Sequence, residues 1–354
     1  MKIRWPGIKI LDRYIIGKFL STYFFAIAMI IVIVVIFDYV EKIDDFTSLK
    51  APLKAILFDY YLNFIPFFIN QFSGLFTFIA VIFFTSKMAY QTEIVAMLSG
   101  GMSFRRLMWP YFLGALIITS LSLTLNLWVI PVSQRSVVEF ESQYRQRRLS
   151  YQYDKHIYRQ VEPGGFAYVR GYTNRTGQAT FFALESYDGS TMTASLEAAE
   201  AKFNPETKRW TAPRYITRAF DSLGVETFSQ HRNLDTLINL EATELGRVNE
   251  LIQTMNITQL NEFLAQQRAK GSDSINIIEV ERHARFAYPL ATFILTLIGV
   301  SLSSRKVRGG TGLHIGIGTG LCFSYILFNR FFEEFAKSGT LPPGLAVWIP
   351  NIIY

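Results

Sequence analysis

The sequence has few of the residues from which chemical sites are built. Cysteine occurs once among 354 residues, as Cys322, so no internal disulfide can form. The four histidines are scattered without the spacing of metal ligands, and we predict neither a metal site nor catalytic residues. No G-x-x-x-x-G-K-[ST] segment is present, so no ATP site of the phosphate-loop kind is expected. The sequence therefore argues against an enzyme and predicts no cofactor bound by this chain.

Long apolar runs are what the sequence has in abundance. Half of its residues are hydrophobic, and the mean hydropathy is +0.21. A run of roughly 20 apolar residues is long enough to cross a bilayer as a helix. A sixth apolar run begins near Leu345 and is too short to span by itself, so we expect the last helix to be incomplete. The five complete predicted spans are Phe19–Phe37, Tyr60–Thr85, Leu107–Ile130, Phe286–Leu302 and Leu313–Phe332.

The basic residues indicate how the predicted spans are oriented. The net charge is +7, but the lysines and arginines collect at the ends of apolar runs, which favours membrane orientation over nucleic-acid binding. Eleven basic residues fall in the short segments on one side and four on the other. Because cytoplasmic loops carry the excess of lysine and arginine, the N-terminus is predicted to be cytoplasmic and the long polar stretch to be exported.

That polar stretch has the pattern of a β-domain. Segments such as "QATFFALESYDGSTMTASLEAAEAKF" alternate short β-prone runs with turn signals, at the spacing of an antiparallel sandwich or open barrel. We predict a three-plus-three helical membrane bundle with a β-domain of about 110 residues inserted between the halves. The predicted domains are residues 1–131 with spans one to three, 132–282 with the β-domain and its flanking helices, and 283–354 with spans four to six.

A short helix is predicted at residues 92–100, between the second and third spans. Ile94, Met97 and Leu98 fall at i, i+3 and i+4, which places them on one apolar face. Thr92 is a suitable N-cap, and Gly100-Gly101 can end the helix in left-handed geometry. One interpretation is a helix lying on the bilayer surface. The other is a docking helix, whose apolar face fills a groove on a soluble partner while Glu93 pairs with a basic residue there.

Glycines recur every four residues in the fifth predicted span, at Gly312, Gly316 and Gly320. The segment "GGTGLHIGIGTG" is rich in glycine, as a phosphate-binding loop would be. Small residues four apart in an apolar helix are, however, typical of close packing between membrane helices, and we favour that interpretation.

Three segments carry a resemblance to a known family. They are "TEIVAMLSGGMSFRRL", "VERHARFAYPLATFILTLIGVSLSSRKVRGG" and "LPPGLAVWIPNII". The chain resembles the LptF/LptG permeases, membrane subunits of the ABC exporter that extracts lipopolysaccharide from the inner membrane. The resemblance covers the chain from the first span onward and is strongest at residues 86–110 and 279–312. It does not say whether the chain corresponds to the F or the G subunit.

The resemblance implies a fold, partners and site residues. It implies a jellyroll-like periplasmic domain, a pseudo-symmetric F–G pair, two copies of the ATPase LptB, which would bind ATP and magnesium, and bridge proteins of the LptC/LptA type. By the family's pattern, residues 92–100 are the coupling helix and Glu93 is the acid that meets LptB. The first and fifth spans would line the gate for lipid. Lys42 and Arg135 are the implied candidates for contacting lipid phosphates, with interface anchoring as the alternative.

Two other functional classes share part of this pattern. A mechanotransmission permease, whose ATPase moves a periplasmic domain without transporting lipid, would also need the short helix and the exported domain. A membrane-anchored binding or sensor protein would not need the short helix. Lipid crosslinking from the first span distinguishes the first class, and co-purification with an ATPase distinguishes the second.

Overall fold

The computed structural model describes most of the chain and divides it into two compact units. One unit combines residues 1–140 with 279–354, and the other comprises residues 141–278. The structure describes residues 9–144, 157–173, 177–204, 206–220, 225–238, 240, 248–269, 272, 274–305 and 311–354.

Helices form the first unit. Four of the helices in the described parts of the chain are long and apolar enough to cross a membrane: α1, α2, α4 and α7. Helices α8 and α9 contain the fifth and sixth predicted segments but are not among these four, so the count of six spans stays a prediction. The helices of both units are α1 (Ile10–Ser48), α2 (Leu53–Tyr90), α3 (Glu93–Ser99), α4 (Phe104–Tyr144), α5 (Val248–Gln253), α6 (Ile257–Ala269), α7 (Ile275–Ser303), α8 (Thr311–Lys337) and α9 (Pro343–Ile353). Of these, α5 and α6 belong to the second unit.

Two of the long helices contain a π-helical turn. In α2 the turn covers Ile56–Tyr61, and in α4 it covers Leu125–Val129. Such turns are rare in proteins and occur mostly as single turns inside α-helices. Both are flanked directly by α-helix, so each is a local change within a continuous helix.

Pro289 lies inside α7 and removes one backbone donor from that helix. The carbonyl that loses this donor belongs to Arg285, four residues earlier, and the Asn126 side-chain amide donates to it at 3.2 Å. The Thr119 hydroxyl donates to the carbonyl of Pro289 itself at 3.2 Å. Polar side chains of α4 therefore satisfy backbone groups in α7, as proline inside an apolar helix requires.

Helix α2 lies at the centre of the helical unit. One apolar cluster joins it to α1, α3 and α4, and a second joins it to α7 and α8. Aromatic rings fill much of the first cluster, where Phe84 stacks on Phe19 at 5.6 Å and on Tyr111 at 5.4 Å between ring centroids. The fully buried members of the first cluster include Ile15, Phe19, Tyr23, Ala80, Val81, Met88, Ile94, Leu107, Tyr111, Ala115, Ile118 and Val300.

The second unit contains one six-stranded antiparallel sheet, in which each strand neighbours the strand before it in sequence. Two-residue connections after β1 and β3 hold Gly164 and Gly189 at positive φ, as the turn signals predict. The strands are β1 (Ile157–Glu162), β2 (Gly165–Thr173), β3 (Gln178–Asp188), β4 (Thr191–Asn204), β5 (Arg209–Phe220) and β6 (Glu226–Leu237).

This topology corrects the expectation of a sandwich or jellyroll-like domain. A sandwich packs two sheets, and a jellyroll places strands that are distant in sequence side by side. The described strands instead form an antiparallel meander, in which each strand pairs with its predecessor in the sequence. The prediction of an inserted, antiparallel β-unit is confirmed. Of the two predicted arrangements, the sandwich is wrong for the described strands, which form one sheet instead of two packed sheets.

Trp210 is the centre of the apolar core of the β-unit. Its ring is fully buried and stacks on Phe182 at 5.1 Å, and its indole N–H donates to the carbonyl of Leu240 at 3.1 Å. Tyr172 packs against the same ring, and burial raises the pKa of the Tyr172 hydroxyl to about 12. That hydroxyl therefore stays neutral and can donate a hydrogen bond at any physiological pH.

Candidate functional site

Helix α3 lies in the turn between α2 and α4, and its end is well defined. The Gly101 N–H donates to the carbonyl of Leu98, and the Met102 N–H donates to that of Met97. Gly101 has φ +86°, the left-handed geometry that glycine adopts most easily, whereas Gly100 does not have a positive φ. The prediction that glycine ends this helix is therefore confirmed at Gly101.

The start of α3 differs from the prediction. Thr92 occupies the N-cap position, but with a left-handed φ of 61°. Its hydroxyl donates to the carbonyl of Gln91 at 2.6 Å and makes no cap hydrogen bond with the helix. The expected side-chain cap is therefore absent at Thr92, because the hydroxyl turns back toward the preceding residue.

The apolar residues of α3 divide between the interior of the bundle and the surface. Ile94 is only 1% exposed and belongs to the core shared with α1, α2 and α4, and Met97 packs against that core. Leu98 and Val95 are exposed, at 36% and 49%. The i, i+3, i+4 pattern therefore marks mainly the face that anchors α3 to its own bundle. Val95 and Leu98 are the apolar side chains that a partner could reach.

Glu93 is held by two residues of α1. Lys18 Nζ lies 3.2 Å from Glu93 Oε1, and the Tyr14 hydroxyl donates to Oε2 at 2.9 Å. The Glu93 side chain remains 27% exposed. These partners were missed in the sequence analysis, although Tyr14 and Lys18 stand four residues apart and so share one face of α1.

A second ion pair joins α1 to the start of α4. The Arg106 guanidinium donates to both carboxylate oxygens of Asp12, at 2.7 and 2.6 Å. Asp12 Oδ2 also accepts the Lys9 backbone N–H at 2.7 Å and so closes the first turn of α1. Asp12 is 1% exposed. In the sequence, Asp12 is distinguished as a candidate for an ion pair because it is the single acidic residue among the first 18 residues, which include five basic ones.

The two residues implied to contact lipid phosphates have different surroundings. Lys42 is buried on α1, 2.7 Å from Asp38, and its ammonium lies over the Tyr60 ring at 4.6 Å from the centroid. The Tyr60 hydroxyl is a further hydrogen-bond partner of Lys42. Arg135 lies on α4 and is exposed. Arg135 is thus the more accessible of the two cations.

Close packing at the glycines that recur every four residues in α8 is not found at Gly316 or Gly320 within this chain, and it stays a prediction for contact with another helix. A side-chain carbon built at Gly316 or Gly320 would meet nothing within 4 Å. The close contact is at Gly318, where such a carbon would overlap Ile82 and lie 3.2 Å from Leu302. Gly312 lies in α8 at a position whose surroundings are outside the described residues. Among the glycines of α8 whose surroundings are described, the close contact within this chain is therefore at Gly318.

Replacing Gly318 with leucine should destabilise the helical unit, because the new side chain has no room between α2 and α7. Overpacking of this kind costs about 1–3 kcal/mol. The matched control is Gly316→Leu on the exposed face of the same helix. Thermal unfolding in detergent should show a lower midpoint for the first variant only, and equal midpoints would contradict the packing assigned to Gly318.

Apolar helices long enough to span a bilayer, together with an inserted antiparallel sheet, define a helical membrane protein with a β-unit between two helical segments. Comparison with family models identifies the particular class. The chain belongs to the family of lipopolysaccharide export system permeases LptF/LptG, whose model matches residues 13–354. A search of curated proteins finds no match. As a member of this family, the chain is a permease of an ABC system for lipopolysaccharide export and not itself a catalytic enzyme.

Proposed function

We propose that this chain extracts lipopolysaccharide from the inner membrane and passes it to a periplasmic bridge protein of the LptC/LptA type, driven by a separate ATPase. The observation that carries the proposal is the family match over residues 13–354. In this arrangement the N-terminus is cytoplasmic, the β-unit is periplasmic, and the chain pairs with a second permease of the F or G kind.

Helix α3 is the proposed contact with an LptB-like ATPase dimer, which binds the ATP and magnesium. Its exposed Val95 and Leu98 side chains offer the apolar surface, and the part-exposed Glu93 offers the charge. Ile94 and Met97 serve the contact indirectly, because they fix α3 to the core of the bundle. A helix anchored in this way can transmit force, whereas a helix lying loosely on the bilayer cannot.

Lipid is proposed to reach the chain along the first and fifth spans. Large apolar side chains on α1 and α8 are exposed, among them Phe25 at 70% and Phe331 at 61%. Gly316 and Gly320 add an open face on α8 that allows another helix to approach closely. We assign the phosphate contact to Arg135 before Lys42, because Lys42 is buried beside Asp38.

Strand β6 supports transfer to a β-rich bridge protein. It is the last strand of the sheet and pairs with β5 on one side among the described strands. Its residues Glu226–Leu237 are almost all exposed. An edge strand can accept a further strand from a partner, with main-chain hydrogen bonds supplying affinity.

Reconstitution of the whole assembly in vesicles tests the proposal. Purified complex is mixed with lipopolysaccharide, ATP and a bridge protein carrying a photocrosslinking residue, and lipid adducts on the bridge protein are counted. We expect ATP-dependent adducts, and fewer of them with Arg135→Gln. ATP hydrolysis without adducts would contradict lipid transport and would favour the mechanotransmission alternative.

A further inference from the structure

Two ionic contacts attach the beginning of α1 to the segment that contains α3. Asp12 binds Arg106, three residues after the Gly100–Ser103 connection at the end of α3. Lys18 and Tyr14 bind Glu93, the first residue of α3. One contact is therefore made on each side of the short helix.

These contacts lie on opposite edges of one face of α1. At 3.6 residues per turn, five residues of α1 lie on one arc of roughly 160° around the helix. In order around that arc they are Asp12, Phe19, Ile15, Lys18 and Tyr14. Ile15 and Phe19 lie between Asp12 and Lys18 on that arc and are fully buried. An apolar strip of α1 is thus flanked by an ionic contact on either side.

This arrangement resists rotation of α1 about its own axis. Turning α1 in one direction would withdraw Asp12 from Arg106, and turning it in the other would withdraw Lys18 from Glu93. The Asp12–Arg106 contact is the more rigid of the two, because the planar guanidinium meets both carboxylate oxygens and Asp12 is 1% exposed. The Lys18–Glu93 contact is more exposed and adds less.

We propose that Asp12 and Arg106 are positioning residues that make the beginning of α1 and the α3 segment one rigid body, so that a displacement of α3 is delivered to the first span. This inference rests on the proposed function, since it presumes that an ATPase moves α3. On this proposal, α1 is the part of the helix bundle that receives the movement of α3 first.

Arg106→Lys tests the role of the fork geometry while keeping the charge, because lysine cannot bind both oxygens in the same way. Its neighbour Arg105→Lys is the matched control, as Arg105 is exposed. We expect both variants to assemble with the ATPase and to hydrolyse ATP at the native rate. Arg106→Lys should transfer about fivefold less lipid per ATP hydrolysed, whereas Arg105→Lys should be unchanged. Equal transfer ratios would overturn the proposal. So would loss of assembly in Arg106→Lys, because the pair would then be a folding requirement.

A distance measurement in the complex tests the rigid body without relying on lipid transport. Spin labels are placed through Ile10→Cys and Ser99→Cys, both exposed, while the native Cys322 is fully buried. We expect one narrow distance distribution that does not change when a non-hydrolysable ATP analogue is added, and a broader one with Arg106→Lys. A native distribution that shifts with nucleotide would show that α1 and α3 move separately and would overturn the inference. Absence of lipid transfer by the native complex would instead count against the proposed function alone.

Discussion

Replacing Glu93 with lysine is expected to abolish co-purification with the ATPase and ATP-driven lipid transfer, while the chain still inserts and folds. The new ammonium would face Lys18, which lies 3.2 Å from the native carboxylate, and would also face the basic residue proposed on the partner. Removing one member of a charge pair at an interface and reversing its sign should weaken assembly by about 100-fold or more. Affinity purification from membranes, with both subunits quantified, measures the effect.

Lys18→Gln separates the two roles that Glu93 can have. This variant removes the intramolecular ion pair but leaves the Glu93 carboxylate in place. Because both side chains are partly exposed, the pair itself contributes only about 0–1 kcal/mol, and Lys18→Gln should assemble normally. If it lost as much assembly as Glu93→Lys, then Glu93 would act only within the chain and the docking role would be wrong.

Replacing Trp210 with alanine is expected to unfold the β-unit. The ring is fully buried among Phe182, Phe203 and Tyr172, so its loss leaves a large cavity and costs about 3–5 kcal/mol. The Leu240 carbonyl also loses its donor. Limited proteolysis of the full chain in detergent should show rapid cleavage within residues 157–240 and little change in the helical unit.

The control for Trp210→Ala is Phe228→Ala on strand β6, where the ring is 59% exposed. This variant removes a comparable aromatic side chain without opening a cavity, and its proteolysis should match that of the native chain. Slow cleavage of both variants would show that Trp210 does not hold the core of the β-unit together.

Local signals in the sequence predict elements better than they predict neighbours. The glycines after α3 and the turn residues in the β-unit fix where elements end, since these depend on a few adjacent residues. The apolar spacing of Ile94, Met97 and Leu98 correctly marks a helix face, but it does not say which molecule covers that face. The structure shows that the protein's own core covers Ile94.

The same distinction applies to the glycines of α8 and to the sheet. Four-residue spacing identifies one stripe of α8, yet the tight contact lies two residues away at Gly318, because the position of α2 decides which stripe is buried. Turn signals predict hairpins. Whether a sheet closes into a barrel or packs against a second sheet depends on contacts between residues that are distant in sequence. Asp38 stands four residues before Lys42, and this spacing on a helix could have indicated that the lysine forms an ion pair.

The π-helical turns in α2 and α4 bear on how such helices can change in length. A π-helical turn holds one more residue than an α-helical turn, and the extra residue changes the direction of the side chains only within that turn. The α-helical stretches before and after it then keep their registration against neighbouring helices. An insertion or deletion of a single residue in either long helix should therefore disturb the remaining packing least at Ile56–Tyr61 and Leu125–Val129.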